Sequence, residues 1–452
     1  MTLNQLTSRL GGTVITAYDP SYAATCDELV WNGRKPERRA RVIVRPADVG
    51  DVQEAVRYAR RHGLSVSAKT GGHQFTGIAA KADMVIDLGS FDSLRVNTAK
   101  REAIVGPAVS NSRLAAALDR HGLAFPVGHC GSVPMGGYLL GGGVGWNANA
   151  WGIACHSVLS LDIVLADSRL VTASPDTYPD LFWAARGAGP GFFGIVTSYR
   201  VALQDAPKAL TTLVRVYPGA RLEEVARWAE DVVAQAPANV EFTAKVGASP
   251  DGPVVAAIAS VFAAMEAEAQ DTHAKLGASA PDDPLAVVGP MPTPFEALYE
   301  ITGTSTPPGA RYGVDCVWSD ARFGDVLARL VQGINNAPST MSFGLLSLRS
   351  NACAVPDISA FSISGRLMAT IYGIWEDAHA DEGNLAWLRN LSDDLVPTAI
   401  GAYVGEADLD GSNHRLPLLS DTVRQKLGVI RSHYDPDNLF RRQDPATCHR
   451  AA

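Results

Sequence analysis

The chain has 452 residues, 46% hydrophobic and 19% charged, a balance that fits a packed protein and excludes intrinsic disorder. Its length is more than one hydrophobic core normally serves. Its net charge of −8 excludes the broad basic surface with which nucleic-acid binders displace counterions.

The first residues, MTLNQLTSRLGG, have no apolar run of signal-peptide length, and no later segment approaches the roughly 20 apolar residues of a membrane span. The expectation is a cytoplasmic monomer or homodimer that acts on a small molecule, with no nucleic acid and no membrane as partner. Cysteines 26, 130, 155, 316, 353 and 448 show no CxxC or CxxH spacing, so neither a zinc site nor a dense disulfide framework is expected.

RVIVR, residues 41–45, reads as a β-branched strand, and the residues that follow read as a helix. Val49, Val52, Ala55, Val56 and Ala59 recur at three- and four-residue spacing, and Gly63 stands at a helix stop. Then come a strand LSVSAK, a double glycine with His73, strands DMVIDL and EAIVGPAV, and a helix NSRLAAALDRHGL. Alternating strands and helices predict an α/β domain over this part.

Residues 128–152, GHCGSVPMGGYLLGGGVGWNANAWG, hold so many glycines that the backbone must turn with positive φ or come close to something bulky. A hairpin-like pair of strands follows in SVLSLDIVLADSRLVTAS, then a short helix, a glycine turn and a strand up to residue 203. The texture changes at Asp205–Lys208. Beyond it, strands such as VEFTAKVGA, YGVDCVW, FGLLSLRS and LMATIYGIW alternate with helices near 221–235, 322–335 and 380–396.

An antiparallel sheet covered by helices on one face is the expected second unit. The predicted fold class is therefore α+β: an α/β domain over 1–205, a second domain over 206–400, and a segment 401–452 that returns to the first domain.

His73 admits two readings, a turn histidine satisfied by a nearby carbonyl or a ring that touches a cofactor whose pyrophosphate meets the bare N–H groups of Gly71 and Gly72. Cys130, in a second glycine-rich loop, is by default a small buried hydrophobe. Two nucleophilic side chains, each beside such a loop, ask for one explanation.

AKTGGHQFTG, GHCGSVPMGGYLLGGGVGW, DLFWAARGAGPGFFGIVT and YDPDNLF resemble, in order, the signatures of the berberine-bridge-enzyme-like FAD-linked oxidases. These are a branch of the vanillyl-alcohol-oxidase superfamily with a PCMH-type FAD-binding domain. The resemblance implies FAD attached covalently to the imidazole of His73 and, because Cys130 and Val133 match a C-x-x-V pattern, to the sulfur of Cys130. It further implies cofactor contacts from Lys69, Thr70, Gly71, Gly72, Gln74 and Gly77 in the first loop. In the second loop it implies contacts from Gly136, Gly137, Tyr138, Gly141, Gly142, Gly145 and Trp146, and later from Gly194, Ile195, Val196 and Asn438.

Flavin oxidation of this kind removes a hydride from carbon and needs a base for the adjacent proton. Where the family has Y-x-N-Y this chain has Tyr403, Gly405 and Glu406, so the expected base is Glu406, with Tyr403 as the alternative. Burial against an apolar ring would move a glutamate from its ordinary value of about 4.3 towards neutrality. The competing reading is a surface glutamate paired with Arg415.

Tyr312, Asp315, Tyr372 and Trp375 are further candidates to face the ring. Pro134 and Met135 also depart from the family pattern, in a region that the resemblance associates with oxygen access. The expected activity is oxidation of an alcohol, an amine or a secondary-metabolite intermediate with dioxygen as acceptor. The alternatives are a dehydrogenase with another acceptor and a flavin-containing drug-binding or resistance protein.

Overall fold

The computed structural model describes residues 2–349, 356–410 and 416–440. Near the N-terminus the strands Thr13–Thr16, Val42–Arg45, Met84–Asp87 and Val66–Lys69 form a sheet in that spatial order. Parallel pairing is confined here to Met84–Asp87 against its two neighbours.

The helix Val49–His62 makes the crossover between Val42–Arg45 and Val66–Lys69. Asp48 caps it by accepting from the Asp51 amide at 3.0 Å, and Gly63 ends it with φ 62°, a left-handed residue that only glycine adopts without strain. Its buried stripe of Val52, Ala55, Val56 and Ala59 is the one its sequence periodicity predicts.

The α/β expectation for this part holds only for that sheet. The next sheet, ordered Leu94–Asn97, Glu102–Val105, Ile195–Ala202, Val158–Val164 and Leu170–Ala173, is wholly antiparallel. Its central strand Ile195–Ala202 arrives from far along the chain, a long-range pairing that local periodicity does not reveal.

An eight-stranded antiparallel sheet spans residues 209–401. Phe242, Ala244, Val246, Leu346, Ala369 and Ile371 point to one face and join buried residues of the helices Leu222–Gln235, Phe323–Asn335 and Asp381–Leu395 in a single cluster. The alternate residues Thr243, Lys245, Ser347, Thr370 and Tyr372 occupy the opposite face. The edge strand Ala286–Pro292 and the helix Phe295–Ser305 were not anticipated from sequence.

The helix Asp421–Tyr434 packs Val423, Leu427 and Ile430 into the core cluster of the N-terminal sheets. The Val66 amide donates to the Leu439 carbonyl at 3.0 Å, and Arg431 donates to the carbonyls of Gly191 and Phe440, each at 2.5 Å. Among the described residues no helix is long and apolar enough to cross a membrane.

Candidate active site

The first loop leaves the strand Val66–Lys69, whose last side chain forms an ion pair with Asp87 at 3.1 Å, both groups almost buried. That pair commits Lys69 to the sheet. Gly71 and Gly72 are required by protein neighbours. A Cβ on Gly71 would lie 2.6 Å from the Pro134 ring, and Gly72, at φ 67°, passes the Leu29 carbonyl so closely that a Cβ would sit 2.1 Å from its oxygen.

This close approach brings the first loop onto the second. The Trp31 amide donates to the Gly72 carbonyl at 3.0 Å, and the Trp31 ring stacks on His73 at 4.9 Å with 23° between planes. Burial, aided by the charge of Lys69 and opposed by a hydrogen bond to the Ser132 backbone, pushes the His73 pKa down to about 4. The imidazole is therefore neutral, with a nucleophilic nitrogen, at ordinary pH.

The second loop is held by a residue that sequence reading passed over. Asn111, fully buried, accepts from the Gly128 amide at 2.8 Å, donates its side-chain amide to the Cys130 carbonyl at 3.2 Å, and donates its backbone N–H to Val133 at 2.9 Å. Cys130 is a free, partly exposed thiol with Ser132 Oγ at 3.4 Å. The hydrogen bond between His73 and the Ser132 backbone places both nucleophiles at one junction.

The later glycines divide by what stands beside them. Gly137 faces open space, with nothing within 4 Å of a notional Cβ, and Gly136 fits between Thr70 and Pro107. A Cβ on Gly142 would lie 2.4 Å from the Phe361 ring, on Gly145 2.2 Å from the Tyr138 hydroxyl, on Gly141 3.3 Å from Val404 and on Gly194 2.6 Å from Ile163. Close protein packing on that side already requires glycine at these four positions, whatever their backbones meet on the other.

Tyr138 is buried with its hydroxyl donating to Pro126 at 2.7 Å. Trp146 is buried against His129 at 4.2 Å. Ile195 and Val196 are buried strand residues paired with Val164 and Ile163. Asn438, at φ 54°, shapes the tail turn and accepts from Arg431 at 3.4 Å. Gly77, at φ 63°, is a turn glycine packed on Val30, and Met135 is buried in the N-terminal core.

Glu406 hangs over the polar face of the large sheet. It accepts from the Thr370 hydroxyl at 2.8 Å and from the Tyr372 hydroxyl at 2.9 Å. Burial first, and then the charge of Glu406, raise the Tyr372 pKa well above its ordinary value, which keeps that phenol a donor. Arg415 lies outside the described residues.

Gln74, next to His73, donates to the Ala407 carbonyl at 3.0 Å, so the two candidate regions are joined within one residue of each key side chain. Tyr403 takes a different direction. It is buried, with its hydroxyl hydrogen-bonded to the Gly143 and Val144 backbone, and burial raises its pKa.

Tyr312 donates its hydroxyl to Pro307 at 2.5 Å while its ring lies 5.0 Å from Trp31. Asp315 accepts from the Cys316 and Asp408 amides, each at 3.0 Å. Trp375 donates to Asp381 at 2.7 Å. Of the four strand candidates, Tyr372 alone touches Glu406.

These residues fit a flavin. A neutral imidazole and a partly exposed thiol meet at one junction between the two glycine-rich loops. Buried polar atoms at Tyr299 and Trp146 have no partner among the described residues, and a Cβ on Gly131 would meet the Tyr299 ring at 3.1 Å, which puts that phenol beside the Cys130 loop.

Comparison with known proteins agrees. Residues 40–174 match the FAD binding domain family. The chain is 26% identical to the FAD-linked oxidoreductase janO of Penicillium janthinellum over 91% of this chain and 92% of that one. It is 36% identical to (R)-6-hydroxynicotine oxidase of Paenarthrobacter nicotinovorans over 44% of this chain and 43% of that one.

Among solved structures, 6-hydroxy-D-nicotine oxidase from Arthrobacter nicotinovorans has a TM-score of 0.85 at 22% identity, covering 98% of this chain and 99% of that one. Berberine bridge enzyme from Eschscholzia californica gives 0.83 at 18% identity, with 97% of each chain covered. The class is thus a FAD-linked oxidoreductase. Its fold is the one shared by 6-hydroxy-D-nicotine oxidase and berberine bridge enzyme.

Proposed function

We propose that this oxidoreductase is an oxidase of a small alcohol, amine or secondary-metabolite intermediate, with FAD attached at both His73 and Cys130 and dioxygen as the final acceptor. Residues before 206 and after 400 hold the cofactor, and residues 206–400 supply the wall against which the substrate lies. Bound FAD would supply the acceptor for a hydride from the substrate carbon.

The protein supplies the rest. Asn111 and the Gly71–Pro134 contact set the junction at which the histidine and thiol sit. Thr370 and Tyr372 orient the Glu406 carboxylate, which takes the proton from the O–H or N–H next to the oxidised carbon. Gln74 ties the turn that carries this base to the loop that carries His73.

The observation that carries the reading is that His73, Cys130 and a doubly hydrogen-bonded Glu406 converge from three distant parts of the chain. The test is acid precipitation of the purified protein with mass spectrometry of the pellet. Flavin is expected on peptides containing His73 and Cys130, to remain through one bond in His73→Ala or Cys130→Ala, and to be released in the double variant. Covalent flavin in the double variant would refute the attachment, and substrate-reduced protein that air fails to reoxidise would make the enzyme a dehydrogenase.

A further inference from the structure

The polar face of the eight-stranded sheet carries a cation that the proposed oxidation leaves unused. Lys245 lies opposite Leu345, which lies opposite Thr370. Two strand spacings of about 4.8 Å put its backbone about 10 Å from that of Thr370, and Thr370 holds Glu406.

The side chains close much of that gap. The Lys245 ammonium lies 4.5 Å from the centre of the Phe343 ring. Phe343 stacks on Tyr372 at 4.7 Å with 18° between planes, and Tyr372 donates to Glu406. A stack of two rings therefore runs from the ammonium to the carboxylate.

Lys245 also reaches the Cys130 side of the site. It donates to Ser305 Oγ at 2.7 Å, the last residue of the helix Phe295–Ser305. In that helix Thr302 donates its hydroxyl to the carbonyl of His129 at 2.9 Å, one residue before Cys130.

A half-buried ammonium normally has an anion beside it, because the solvation it has lost must be replaced. Elsewhere in and near the site this rule is kept: Lys69 meets Asp87 at 3.1 Å, and Glu241 meets His129 at 2.6 Å. Among the described residues no carboxylate lies within 4.0 Å of Lys245. A neutral hydroxyl and a ring face are its partners, and burial lowers its pKa. The missing anion is a place for a ligand.

We infer that Lys245 is the specificity residue of this site and receives a carboxylate of the substrate. The substrate is then a small planar acid that lies along the edges of the Phe343–Tyr372 stack, its carboxylate at Lys245 and its oxidised carbon towards Glu406. This rests on the oxidation reading above, and it narrows the substrate to an anionic class.

The test titrates the flavin-loaded protein at neutral pH with benzoate and with its neutral isostere benzamide, followed by calorimetry and by the flavin absorbance difference. Benzoate is expected to bind about 10-fold or more tightly than benzamide, as a charge-assisted hydrogen bond in a half-buried site provides. Lys245→Met is expected to erase the preference. Lys245→Gln keeps a polar head for Ser305 and is expected to do the same should the methionine variant fail to fold.

Equal affinities, no benzoate binding, or a preference that survives in the folded variants overturns the proposal. Glu406→Gln separates it from the oxidation reading, since that variant is expected to retain the benzoate preference while losing flavin reduction. A Glu406→Gln protein that reduces normally, with the preference still dependent on Lys245, would sink the base assignment and leave the carboxylate site standing.

Discussion

On the strand Val240–Gly247, Phe242, Ala244 and Val246 enter a core sealed by four helices, while Glu241, Thr243 and Lys245, their immediate neighbours, turn the other way. The same division runs through the strands Phe343–Leu348 and Leu367–Trp375, where Leu346, Ala369 and Ile371 are core and Ser347, Thr370 and Tyr372 are not. One face of the sheet holds the fold together by burying apolar area, and the other arranges donors and charges around a carboxylate. Sheet pairing serves both, so stability and chemistry should separate by residue parity.

Glu406→Gln is the strongest way to break that separation. It removes the proposed base and keeps the size and the contacts with both hydroxyls. The rate of flavin reduction should fall by about 10² to 10⁴, a loss of about 3–5 kcal/mol in barrier, with the unfolding midpoint unchanged. Stopped-flow reduction and a denaturant titration read the two quantities independently. An unchanged reduction rate would take Glu406 out of the mechanism.

The opposite face gives the reciprocal experiment. Leu330 is fully buried in the helix Phe323–Asn335 and packs near Gly344 of the sheet. Leu330→Ala should cost about 2–5 kcal/mol of stability through lost transfer energy and a residual cavity. The reduction rate per folded molecule should stay the same. A rate that dropped in proportion would mean that the two faces are mechanically coupled and that parity does not divide the roles.

Much of this arrangement was legible in the chain. The helix Val49–His62 carries its period of buried residues and its glycine stop openly, and the strands read in VEFTAKVGA, YGVDCVW, FGLLSLRS and LMATIYGIW are strands in the structure. The edge strand Ala286–Pro292 was missed because its sequence, AVVGPMP, holds a glycine and two prolines and is mostly exposed. Such residues suit an edge and give no alternating signal.

The glycines were legible as a cluster and illegible one by one. A missing Cβ can face open space, as at Gly137, or make room for a neighbouring ring, as at Gly142, and only the fold distinguishes the two. Lys245 was missed for a related reason. In VEFTAKVGA an outward lysine looks like a solvated face, and nothing local says that Phe343 and the end of the helix Phe295–Ser305 will cover it. Asn111 looks like an ordinary first residue of a helix until Gly128 and Cys130 fold back onto it.

Tyr372→Phe is the finest test of the two-face picture, because it changes one atom on the polar side. The phenylalanine keeps the stack on Phe343 and leaves Thr370 as the hydroxyl donor to Glu406. A single hydrogen bond to a charged group contributes about 1.5–3 kcal/mol, an upper bound here because the carboxylate retains one donor. Flavin reduction is expected to slow by about 3- to 30-fold with substrate binding little altered. Loss of binding with an unchanged reduction rate would instead make Tyr372 part of the substrate platform. Unchanged values of both would leave Thr370 sufficient to orient the base. A fall in stability comparable to that of Leu330→Ala would show that the polar face, too, is core.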